Sequence, residues 1–145
     1  FYARFVSEKS LIIAMENNPQ SFEYDVTRDH AAALQTLKQH TNLIDEIHIL
    51  SNPLVTRVNR GKTPDFAAGY INYYPCNGGI IVPEFGDAAA DEHAVQLLAS
   101  LYPGRTVVQV NIDGIASGGG GIHCVTMQQP DFTSFTTDGQ THDTD

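Results

Sequence analysis

The chain has two cysteines, and one of them closes the segment Ser117-Gly118-Gly119-Gly120-Gly121-Ile122-His123-Cys124. Glycine without a Cβ takes positive φ readily and lets backbone approach a ligand closely. A turn of successive backbone N–H groups favours negative charge, and so favours the anionic form of a neighbouring thiol. Cys124 therefore stands where a thiolate nucleophile could meet a ligand held by Gly119, Gly120 and Gly121. The same run would equally serve as a flexible surface loop leading into a buried structural cysteine. The segment from Cys124 to Met127 reads as a short strand. On a strand, adjacent side chains face opposite ways, so His123 is expected to face away from Cys124 and to pack or hydrogen-bond rather than act as its base.

Other polar residues invite simpler readings. Asn72, in Tyr70-Ile71-Asn72-Tyr73-Tyr74, is an amide that either hydrogen-bonds a substrate or holds a loop. Asn77 reads as a turn residue and Cys76 as an inert thiol beside it. Arg4 lies in an apolar strand and needs a partner, expected to be an internal ion pair. Asp87 fits a helix N-cap better than a site acid. His30, His40 and His93 fall on helices and are expected to be solvated. His48 reads as a hydrogen-bonded sheet histidine, and His142 lies in the tail. No Cys/His cluster has ligand spacing, so no metal site is expected.

These residues need a scaffold. Ala3 to Met15 reads as a hairpin or two short strands. Thr27 reads as an N-cap opening a helix through Ala31, Leu34 and Leu37 to about His40. Ile44 to Leu50 is a buried strand, and residues 52–68 form a long loop of the kind that is often functional. Tyr70 to Tyr74 reads as a strand, Asn77-Gly78-Gly79 as a turn, and Ile80 to Val82 as the returning strand. Ala88 to Tyr102 is a helix closed by Pro103-Gly104, and Arg105 to Ile112 is a strand. The order suggests an α/β chain with a repeated ββαβ module, the first copy missing its opening strand. Such repetition points to a ring or stacked array.

Composition bounds the partners. A length of 145 residues suits about one domain, and 41% hydrophobic content is enough for a core. The net charge of −9 argues against nucleic acid and against an anionic membrane surface, while its sign suits a small cation. Two cysteines do not make a disulfide framework and read as thiols of a reducing, cytoplasmic compartment. No apolar run is long enough to span a bilayer. No signal peptide is recognised, and a first residue other than Met suggests a fragment or a processed chain.

Three segments together resemble one family. They are Ala3-Arg4-Phe5-Val6; Tyr70-Ile71-Asn72-Tyr73-Tyr74 with Asn77-Gly78-Gly79-Ile80-Ile81-Val82-Pro83-Glu84-Phe85-Gly86-Asp87; and Gly118-Gly119-Gly120-Gly121-Ile122-His123-Cys124-Val125-Thr126 with Gln128-Gln129-Pro130. The chain looks like the C-terminal part of an agmatine deiminase, in the family also called Porphyromonas-type peptidyl-arginine deiminases. Met127 stands where glutamine is common. The resemblance implies a pentein, an α/β propeller of ββαβ units around a central active site. Residues 1–130 would be the C-terminal portion of that catalytic domain, with 131–145 an acidic, flexible tail. It implies Cys124 as nucleophile toward a guanidinium carbon, with Asn72, Gly119, Gly120 and Gly121 at the substrate. It implies no cofactor. The family's His-x-Asp motif, which precedes the Ala-Arg-Phe segment, and its guanidinium-binding acids would belong to an N-terminal portion, present as a second chain or a missing segment. Agmatine is the expected substrate. Peptidyl or free arginine is the alternative, and a non-catalytic module binding a cation on the same fold is a third reading.

Overall fold

The computed structural model describes residues 2–130, and two units of the same topology follow one another in it. The first comprises β1 (Ala3–Phe5), β2 (Ser10–Met15), α1 (Glu23–His40) and β3 (Glu46–Ser51). β1 runs antiparallel to β2, with Phe5 opposite Leu11, and β3 returns parallel to β2, with Leu11 opposite Ile47. The second comprises β4 (Tyr74–Cys76), β5 (Gly79–Glu84), α2 (Ala88–Leu101) and β6 (Thr106–Asn111). It repeats the pattern, β4 antiparallel and β6 parallel to the central β5. A parallel return needs a crossover, and the helix of each unit supplies it. The ββαβ repeat is therefore present, and its first copy is complete: β1 is the opening strand expected to be missing. Three residues are enough because Ala3, Arg4 and Phe5 all pair with β2.

Local chemistry explains several elements. Gly78 takes φ +73° in the β4–β5 turn, a conformation open to glycine at little cost. Asp87 caps α2, its carboxylate accepting from Ala90 N at 3.2 Å. The four-residue Leu11–Ala14 run of β2 is buried throughout, as a central strand covered on both faces requires.

Four elements differ from expectation. The strand expected to be buried from Ile44 to Leu50 begins at Glu46, and Leu50 alone of its six residues is buried. α1 begins at Glu23, not after Thr27. Thr27 sits buried inside the helix, where its hydroxyl donates to Tyr24 O and accepts from Glu16 N, each at 3.2 Å. Residues 70–72 form a 3₁₀ turn, and the strand starts only at Tyr74. Tyr70 and Tyr73 are three residues apart, so the turn's three-residue period puts both on one buried face. Residues 123–125 are likewise a 3₁₀ turn and not a strand. The expected tail and His142 lie outside the described residues.

One hydrophobic core joins the units. Ile12 and Leu50 of the first pack in the same cluster as Tyr70 and Tyr73 of the 3₁₀ turn and Val82, Phe85 and Leu98 of the second. Arg4 crosses between them: its guanidinium donates to Tyr73 O at 2.6 Å and lies 4.0 Å from the centre of the Tyr73 ring. Backbone carbonyls, with Ile71 O at 3.5 Å beside Tyr73 O, and an aromatic face are among its partners.

Candidate active site

Cys124 reaches its place through the segment that follows β6. A four-residue helix, α3 (Asp113–Ala116), ends in the glycine run, whose first residues cap it. Gly118 N and Gly119 N donate to Ile115 O and Ala116 O at 3.0 Å, and Gly120 N to Ile115 O at 3.4 Å. Those three N–H groups are turned to the helix end, so they do not form the anion nest that the sequence suggested. Two of the four glycines are required for geometric reasons. Gly119 takes φ +80°. A Cβ at Gly121 would lie 2.5 Å from Asn72 Cγ, a separation that real side chains do not tolerate.

Asn72 is the residue that fixes the cysteine. Its Nδ2 donates to Cys124 Sγ at 3.1 Å and its Oδ1 accepts from His123 N at 2.8 Å. One amide thus grips two consecutive residues of the 3₁₀ turn, and it does so by packing flat on Gly121. The Cys124 thiol is exposed and its pKa is lowered. The Gly121 backbone N–H contributes most, Asn72 Nδ2 next, and slight burial opposes both. Hydrogen bonds donated to sulfur favour the thiolate, which is the nucleophilic form.

The second support comes from the loop between β3 and the 3₁₀ turn at Tyr70. Arg57 in that loop pairs with Glu84 at the end of β5 at 2.6 Å and with Asp113 at the start of α3 at 2.9 Å. Gly86, at φ +92°, leaves room for this guanidinium: a Cβ there would come within 2.7 Å of Arg57 Cγ. Asp87 also receives Leu54 N at 3.0 Å, and burial raises its pKa less than the donors Ala90, Val55 and Leu54 lower it. Beneath this layer Asp91 accepts from Tyr70 OH at 2.7 Å, Phe85 N at 3.0 Å and Gly86 N at 2.9 Å. Burial first, and this carboxylate second, push the Tyr70 phenol well up. Neither Arg57 nor Asp91 was singled out from sequence. The three basic residues of the long loop, Arg57, Arg60 and Lys62, were the one available signal for Arg57, and no local pattern marks Asp91 within its helix.

A cavity of about 650 Å³ opens at the cysteine. Cys124, Asn72, Gly119 and Gly120 line it, whereas Gly121 sits behind Asn72 and is not part of its wall. Other residues assigned from sequence stand elsewhere. The His123 ring meets the Tyr74 ring edge-on at 5.9 Å, and its Nε2 is 3.4 Å from the Gln128 amide. A packing and hydrogen-bonding role holds for it, although the strand premise behind that expectation does not. His48 contacts Ser10 Oγ at 3.0 Å and Glu46 at 3.2 Å, as a sheet histidine should. His30 packs on Tyr2, and His40 contacts Thr36 O, so these helix histidines have neighbours beyond solvent. Cys76 Sγ lies 3.5 Å from Gly79 O in the hairpin. Among the described residues no group of three or more His, Cys, Asp or Glu side chains could hold a metal ion, and no helix is long and apolar enough to cross a membrane.

The model of the Porphyromonas-type peptidyl-arginine deiminase family matches residues 1–130. The chain belongs to that family. A Legionella pneumophila relative named "Putative agmatine deiminase" is 30% identical over 128 residues, which are 88% of this chain and 36% of the relative. Among solved structures, an agmatine deiminase of Enterococcus faecalis superposes with a TM-score of 0.72 at 27% identity, over 89% of this chain and 39% of that one. A C. jejuni agmatine deiminase shares the fold, with a TM-score of 0.71 at 19% identity over 85% of this chain and 36% of that one. This member of the family thus spans little more than a third of the length of the relatives it matches.

Proposed function

We propose that the chain is the C-terminal portion of a cysteine-dependent guanidine deiminase acting on agmatine, and that Cys124 is its nucleophile. The observation that carries the reading is the Cys124 thiol itself, exposed to a cavity and receiving hydrogen bonds from Gly121 N and Asn72 Nδ2. Family membership supplies the substrate class, since the relatives described above are named for agmatine.

A guanidinium is a resonance-stabilised, poor electrophile, and a thiolate is the strongest side-chain nucleophile near neutral pH. Cys124 Sγ adds to the central guanidinium carbon. The tetrahedral adduct collapses as one nitrogen takes a proton and leaves as ammonia, giving a thiouronium on sulfur. Water adds to the same carbon, loses a proton, and the C–S bond breaks to return the thiolate. The balance is agmatine plus water giving N-carbamoylputrescine plus ammonia. Asn72 donates to sulfur, so it stabilises the thiolate before attack and after release. Gly119 and Gly120 let the substrate approach the cavity wall closely. The acid/base group and the carboxylates that grip the guanidinium would come from an N-terminal portion, completing the five-unit propeller that the family resemblance implies. The half-exposed side chains of Val108 and Val110 on β6, and of Ile49 on β3, suit burial by such a portion.

Ammonia release from agmatine tests the reading. The chain together with its N-terminal complement should turn over, the chain alone should not, and Cys124→Ser should abolish turnover in the assembled protein. Undiminished turnover by the Cys124→Ser protein would defeat it.

A further inference from the structure

The cavity at Cys124 holds a second polar group that nothing in the fold uses. Asn52 follows β3 and is 5% exposed, yet its Oδ1 accepts no hydrogen bond from any described residue. Leaving a buried acceptor unpaired is costly, so native proteins seldom do so without a ligand or water to satisfy it. The other buried side-chain oxygen left orphaned among the described residues, Glu16 Oε2, at least faces Arg60 at 3.5 Å. Asn52 has no such partner, and it lines the cavity together with Cys124 and Asn72.

Its position relative to the thiol is set by the backbone. An added Cβ at Gly69 would stand 3.5 Å from Asn52 Oδ1, so the amide oxygen lies against Gly69. Gly69 caps the 3₁₀ turn that ends at Asn72, three residues on, a rise of about 6 Å. Asn72 in turn holds Cys124 Sγ. A guanidinium with its carbon at the sulfur therefore lies at the Asn72 end of this turn, while the Asn52 oxygen lies at the Gly69 end. Ala14, Phe66, Ala68 and Ile71 contribute apolar wall to the same cavity, a surface suited to methylene groups.

We infer that Asn52 Oδ1 accepts a hydrogen bond from a donor at the far end of the substrate, and so selects guanidines whose alkyl chain ends in an N–H group, such as a primary ammonium. This rests on the guanidine reading above and adds the group that reads the substrate's other end. A guanidine whose chain ends in a methyl offers the oxygen no donor.

The test uses the assembled protein carrying Cys124→Ser, with affinity for agmatine and for n-butylguanidine measured by calorimetry. Asn52→Leu should weaken agmatine about tenfold or more, as expected for loss of a bond to a charged donor, and leave n-butylguanidine unchanged. Asn52→Asp keeps an acceptor of the same size and should retain agmatine. Because both ligands are measured on each variant, unchanged n-butylguanidine affinity also shows that the variant is folded. Equal weakening of both ligands, or weakening of neither, in Asn52→Leu overturns the assignment while the guanidine reading stands. Binding of neither ligand before Asn52 is changed overturns both.

Discussion

The two ββαβ units share one topology and hold their helices very differently. α1 is the longer, yet Thr27 is its one buried residue, and no side chain caps its start. α2 is shorter, is capped by Asp87, and buries Asp91, Ala94 and Leu98. The difference extends to the connections. In the second unit the residues around the helix start, Asp87, Asp91 and Glu84, accept from the segment before β4, and Arg57 of that segment also donates to Asp113 at the start of α3. A polar network radiating from the α2 start therefore anchors the segment that delivers Cys124. The first unit contributes cavity wall and Asn52, and its helix is free of that duty.

The comparison is open to attack by substitution. Asp91→Ala strips the acceptor from a buried phenol and two backbone donors, and should cost about 3 kcal/mol or more in a denaturant melt. Gly121→Ala forces a methyl into Asn72. It should cost about 2 kcal/mol by overpacking and slow alkylation of Cys124, because the amide must leave the sulfur. Thr27→Val leaves Glu16 N–H without its acceptor and should cost about 1 kcal/mol. If the Thr27 change proves as damaging as the Asp91 change, the second unit is not the better-anchored one.

The smallest effect concerns titration. A lowered thiol pKa means that the thiolate, and with it the alkylation rate, persists to lower pH than for an ordinary cysteine. Asn72→Leu removes one donor to the sulfur while Gly121 N–H remains. The midpoint of the rate against pH should therefore move up, part of the way to the ordinary value. An unchanged midpoint would show that Asn72 positions the turn without tuning the thiol.

What the sequence made legible were features fixed by near neighbours. The Asn77-Gly78 turn, the Asp87 cap and the strand order each follow from a few adjacent residues. What it hid depends on distant ones. The 3₁₀ turn at Tyr70 exists because Tyr70 bonds Asp91 and Tyr73 bonds Tyr102, 21 and 29 residues further along the chain, and the aromatic-rich segment Tyr70 to Tyr74 alone read as a strand. Thr27 looked like a cap by its residue type, whereas its hydroxyl accepts from Glu16 N and joins α1 to the end of β2. At the site, the glycine run and Cys124 were visible as types and spacing. The grip of Asn72 on both Cys124 and His123, and the unpaired oxygen of Asn52, depend on contacts across the fold that no local pattern records.

Acid-quenched turnover of agmatine by the assembled protein, followed by peptide mapping with mass spectrometry, tests the role of Cys124 most directly. A thiouronium adduct on the peptide that contains Cys124, absent from Cys124→Ser, is the expected result. An adduct on the Cys76 peptide instead, or steady ammonia release by the Cys124→Ser protein, would contradict it.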